Sequence, residues 1–160
     1  MAETYTAPVN PSFGIDQRRA IARAIIDHIQ ERSTKGKGIG GRAFSGPDGD
    51  NKYAKSYKDS REFETAGKSG SVVNLTLTGD MLASIEVLDV STVAQVTVGF
   101  EEGEEDDKAR FMRLKGYRFL GLSSEELATI TSRFENSAQA QADNLSESIA
   151  TSFLRSLLGG

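Results

Sequence analysis

The feature that most limits what this chain can fold into is the run from Arg118 to Leu127, where apolar residues lead directly into a helix start. Phe119, Leu120 and Leu122 supply apolar area and read as a short strand. Ser123 is placed to accept a hydrogen bond from a free amide of the first helical turn, and Glu126, three residues on, completes an S-x-x-E capping box. Leu127, Ile130 and Phe134 then recur at helical spacing. The chain must therefore turn from extended to helical at Ser123 and bury one side of the helix that begins there. A second helix is predicted over residues 16–32, where Ile21, Ile25 and Ile29 repeat every four residues beside Ala22 and Ile26. Arg18, Arg19, Arg23, Asp27 and Glu31 take much of the remaining surface, Asp16 is the expected N-cap, and His28 falls at the polar edge as a boundary residue.

Between these helices lies the β portion. Residues 72–78 alternate as a strand, Gly79-Asp80 signals a turn, and residues 80–84 read as a short helical turn before a strand that starts at Ile85. Residues 94–100, with Val96, Val98 and Phe100 on one face, form the clearest strand pattern. Residues 109–114 and 117–120 are expected to close the sheet. The fold class is α+β: a small, mostly antiparallel sheet of about four strands on a long N-terminal helix and a C-terminal helix.

Residues 1–13 hold two of the three prolines and read as an irregular N-terminal arm. Residues 14–134 suit a single domain, interrupted at 33–70 by a long flexible loop rich in glycine in its first half. Residues 135–160 read as a C-terminal helical arm, with Leu145, Ile149, Phe153 and Leu157 repeating every four. The polar, alanine-rich residues 137–141 either extend the helix or hinge it. The apolar stripe has two destinations, the home core or a neighbouring subunit, because so amphipathic a helix needs a surface to cover.

Composition narrows the function classes. With no cysteine, disulfides and thiolate metal sites are excluded. The single histidine cannot build a poly-histidine centre within one subunit, and no cofactor is expected. No window approaches the roughly 20 apolar residues that span a bilayer, and residues 1–11 lack the basic start and apolar block of a secretion signal. A net charge of -4 argues against a dedicated nucleic-acid binder.

Candidate chemistry is sparse. Gly36-Lys37-Gly38-Ile39-Gly40-Gly41 lacks the preceding strand and following helix of a phosphate loop, and Gly67-Lys68-Ser69 has Glu62 where such a loop needs glycine. The serines lack a G-x-S-x-G elbow, so no catalytic residue is assigned. The acidic run Glu101, Glu102, Glu104, Glu105, Asp106 and Asp107 has oxygen ligands for a hard cation but not the EF-hand spacing; a solvated hairpin tip is the preferred reading. Lys52, Lys55, Lys58, Arg61 and Lys68, interleaved with Tyr53 and Tyr57, suit a docking loop or, as the alternative, a nucleic-acid-binding module.

Two segments also carry a resemblance. Arg118-Phe119-Leu120-Gly121-Leu122-Ser123 resembles the R-(P)-F-L-G-L-S element of the neck or tail-completion proteins of tailed bacteriophages, and the segment Asn74-Leu75-Thr76-Leu77-Thr78-Gly79-Asp80-Met81-Leu82-Ala83-Ser84-Ile85 resembles their L-T-x-x-G-x-L-x-x-S-I element. The two stand in the expected order. Here Arg118 is followed directly by Phe119, without the proline that the family often places between them. The resemblance implies a non-enzymatic structural protein of the virion, assembled in the host cytoplasm into a homo-oligomeric ring at the head–tail connector. Its partners would be portal-adaptor and tail proteins, with genomic DNA passing through unread and no membrane involved. A tail-terminator or minor tail protein is the alternative placement. Interface roles fall to Tyr53, Tyr57, Phe63, Arg118, Phe119, Leu145, Ile149, Phe153 and Leu157. In such a ring the acidic run would form a lumen-facing belt that repels phosphates and lets the duplex slide.

Overall fold

The structure, a computed structural model, describes residues 1–44, 55–65 and 80–158. Within them the chain is α+β. Strand β1 (Thr4–Pro8) leads to helix α1 (Ile15–Thr34); short helices α2 (Lys55–Lys58), α3 (Arg61–Thr65) and α4 (Asp80–Ala83) precede strands β2 (Glu86–Asp89) and β3 (Gln95–Gly99). Helices α5 (Glu104–Leu114) and α6 (Ser124–Leu158) complete the order.

The sheet is antiparallel and three-stranded among the described residues, in the order β1-β3-β2. Central β3 alternates as its sequence requires: Val96 and Val98 are buried, and Phe100 continues on the same face. That face packs on α1, whose Ile21, Ile25 and Ile29 are each 0% exposed. Phe119 closes the core edge-on against Phe100, with ring centroids 6.3 Å apart.

Several expectations are corrected. Residues 1–13 are not simply an irregular arm, because β1 pairs along its length with β3, from Thr4 opposite Gly99 to Pro8 opposite Gln95. Tyr5, Ala7 and Val9 carry the period of two, and Pro8 is tolerated because it ends an edge strand. Residues 109–114 are helical, not a strand. Four acidic side chains in the first turn of α5 favour its N-terminus, and Glu104–Lys108 (2.9 Å) and Asp106–Arg110 (2.8 Å) pair one turn apart. Residues 117–120 form no strand; they are held by hydrogen bonds to side chains and a loop. Gly14, not Asp16, occupies the N-cap of α1, and Gln17 Oε1 accepts the Gly14 amide at 3.0 Å. The expected strand at 72–78 lies outside the described residues.

The segment read as a flexible loop is fixed at its start. Ile39 N–H donates to the Arg118 carbonyl at 3.0 Å, Phe44 N–H to the Gly36 carbonyl at 3.0 Å, and the Phe44 side chain is buried against Tyr117. Gly38 permits this approach, since a Cβ there would stand 2.5 Å from the Arg118 carbonyl oxygen. Gly38→Ala is expected to lose about 1–3 kcal/mol, the usual range for overpacking, read as a lower urea midpoint with an unchanged m-value. An unaltered midpoint would mean that the loop is not held this way.

Candidate assembly surface

The site is built from Arg32 outward. On α1 this residue continues the stripe of Ile25 and Ile29, so it points into the protein, and it is 5% exposed. Its guanidinium meets three acceptors: Nη2 donates to the carbonyls of Phe119 (2.6 Å) and Gly121 (2.8 Å), and Nη1 donates to Glu126 Oε1 (2.8 Å). Glu126 collects donors from three elements. His28 Nε2 lies 3.0 Å from Oε1, while Oε2 accepts the amides of Ser123 (2.7 Å) and Gly40 (2.9 Å). The Glu126 amide in turn donates to Ser123 Oγ at 3.2 Å, completing the capping box read from the sequence. Gly121, at φ +130°, lets the chain bend around the guanidinium.

Burial of the Glu126 carboxyl works against its charge. The donors from Ser123, Arg32, His28 and Gly40 outweigh that penalty and hold it well below the usual carboxylate range. A groove of about 750 Å³ opens beside this junction, between Ala24 and His28 of α1 and Ile130 and Arg133 of α6.

From this root α6 runs on as one helix of 35 residues, roughly 52 Å at 1.5 Å per residue. The alanine-rich residues 137–141 extend the helix and do not hinge it. Every residue from 139 to 156 is exposed, so the outer half leaves the body. Leu145, Ile149, Phe153 and Leu154 show 63%, 61%, 62% and 57% of their surface to solvent. These side chains serve no home core, which answers where the stripe goes within the protomer.

The other proposed interface residues divide. Phe119 and Phe63 are buried, at 2% and 8% exposure, and pack within the protomer; Arg118 is exposed. Tyr57 lies on α2 and Leu157 in the last turn of α6, whereas Tyr53 lies outside the described residues. The acidic run is not one loop. Glu104, Glu105, Asp106 and Asp107 form the first turn of α5, and Asp106, 2% exposed, accepts the Glu3 amide at 2.6 Å and Arg110 at 2.8 Å. Asp106 therefore cannot face a lumen. Glu101, Glu102, Glu104 and Asp107 remain exposed, and Glu105 is engaged by Lys108 at 2.7 Å. Sequence reasoning missed Arg32 and Leu154. An arginine in register with Ile25 and Ile29 was the available signal for the first.

Comparisons with protein-family models, with curated proteins and with solved structures return no match.

The junction and the arm should respond differently to substitution. Glu126→Gln is expected to cost about 2 kcal/mol, because buried Arg32 loses a charged acceptor on a carboxyl that is itself only partly buried. Because the folded carboxyl titrates below its ordinary value of 4.5, the unfolded chain binds more protons under acid conditions. Wild-type stability should therefore fall as pH drops below that value, and this part of the slope should be missing in the variant, as read by urea titrations at several pH values. In contrast, changing Leu145, Ile149 and Phe153 together to serine should leave the thermal midpoint nearly unchanged, since exposed side chains contribute little to the core. It should abolish concentration-dependent sedimentation and apolar-dye binding. A large drop in midpoint would show that the stripe packs at home.

Proposed function

We propose that this chain is a structural protein of the tailed-phage virion, forming a ring at the head–tail connector through its C-terminal helical arm. The observation that carries the assembly part is the arm itself: eighteen consecutive exposed residues, from 139 to 156, bearing four large apolar side chains. The phage assignment rests on the resemblance of the segments from Asn74 to Ile85 and from Arg118 to Ser123. Support also comes from what the second segment does, since its backbone carbonyls and its capping box aim the arm.

In this reading the work is mechanical, not catalytic. Heterologous contacts repeated around a closed ring let modest interfaces sum. Docking also stabilises the arm, because a polar, serine-rich helix of this length is marginal without a packing surface. Portal-adaptor and tail proteins meet the faces of the ring. The exposed carboxylates Glu101, Glu102, Glu104 and Asp107 are assigned to the channel side, where they would repel passing DNA.

Electron microscopy of lysates from a phage with an early stop codon in this gene tests the reading. Filled heads beside unattached tails are expected. Joined, infectious particles would overturn it.

A further inference from the structure

We infer that the N-terminus of α1 and the buried side chain of Arg18 together form a binding site for a phosphate group. This goes beyond the ring-forming reading above and stands or falls independently of it. Arg18 lies on the same helix face as Ile21, Ala22 and Ile25, and it is 7% exposed. Its Nε is sealed from solvent without a hydrogen-bond partner. Among the described residues the guanidinium makes no hydrogen bond and no ion pair. Arg32, on the same face at the other end of the helix, shows the contrast, because three acceptors converge on it.

Three effects disfavour a cation at residue 18. Burial strips much of its hydration, no carboxylate or carbonyl replaces that hydration, and the end of the first turn is where the positive pole of the helix repels it. The acceptors nearby in sequence are committed elsewhere. Asp16, on the opposite side of the helix, holds Arg19 at 3.0 Å. Asn10 Oδ1 accepts the amide and the hydroxyl of Ser12 at 2.9 and 2.7 Å, and Gln17 Oε1 accepts the Gly14 amide at 3.0 Å. An anion bound from solvent would reverse all three effects at once.

The helix end supplies the remaining donors. Gly14, at the N-cap, has no side chain with which to cap it, and the amides of Ile15, Asp16 and Gln17 have no carbonyl one turn earlier to bond. Gly14, Ile15 and Asp16 are exposed, so this end is open to solvent. Long side chains on a helix lean toward its N-terminus, and Arg18 therefore extends toward these amides from the core side. Backbone donors on one side and a planar guanidinium fork on the other suit a tetrahedral oxyanion with several acceptor oxygens. A phosphate has that chemistry, whether free or in the backbone of a nucleic acid.

The test uses the full chain. The wild-type thermal midpoint should rise by about 3–6 °C in inorganic phosphate at tenfold its Kd, relative to chloride at equal ionic strength. Arg18→Met, which keeps the apolar stem and removes the charge, should abolish that rise and leave the midpoint in chloride unchanged or higher. Gly14→Asp is an independent variant. A Cβ at Gly14 meets nothing closer than Gln17 Oε1 at 4.0 Å, so the fold has room for it, and the new carboxylate would take the amides in place of phosphate. This variant should lose the rise as well. A short DNA duplex that gives the same Arg18-dependent rise would identify a nucleic-acid backbone as the source, and a response to inorganic phosphate alone would identify the free ion. No rise in the wild type with either probe, or an equal rise in Arg18→Met, would overturn the site. Were that variant unfolded, an equal rise in Gly14→Asp would overturn it instead.

Discussion

The contact on which the rest of the structure depends is the pair formed by buried Arg32 and partly buried Glu126. Arg32 binds two carbonyls of the bend before α6, and Glu126 binds α1, the loop at Gly40 and the cap of α6. Two stretches distant in sequence, 28–40 and 119–126, thus share one pair of side chains. A buried ion pair is seldom a large net source of stability, since desolvation offsets much of the attraction. Its value here is directional. Hydrophobic packing of Ile130 and Phe134 would tolerate small rotations of α6, whereas the fork of the guanidinium and the two carboxylate oxygens admit one arrangement.

Fixing the root of α6 has a mechanical consequence. A helix continued from a capped, packed first half does not bear the nucleation cost that an isolated peptide of the same length would face. The outer half is therefore a lever whose direction is set in the body and whose apolar residues are presented away from it. Small errors at the junction would be magnified over about 27 Å of exposed helix, from residue 139 to 156. Directional bonds at the root limit such errors where packing alone would not.

Much of this is legible in the sequence. The capping box at Ser123, the stripe of Ile21, Ile25 and Ile29, the alternation of Val96, Val98 and Phe100, and the turn of helix before β2 all depend on local patterns that tertiary contacts reinforce. The errors have a common physical origin. The acidic run reads as solvated when its charges are counted without asking whether a helix N-terminus would take them, and Asp106 is needed by the Glu3 amide, a partner about a hundred residues away. Likewise β1 reads as irregular until β3 is there to pair with it. Arg32 and Glu126 are each visible, one on an apolar stripe and one in a capping box, but their meeting is a product of the fold. Leu145, Ile149 and Phe153 stand out as a stripe, yet periodicity cannot say what a stripe will cover.

Hydrogen–deuterium exchange across a range of protein concentrations tests the central claim most directly. Amides of residues 139–156 should exchange quickly in dilute solution and become protected as the chain assembles, with the amides of Ile21, Ile25 and Ile29 slow throughout. Full protection of the arm at the lowest concentration would contradict the claim, by showing that the stripe is covered within the protomer. So would an assembled state in which the arm remains as exposed as before.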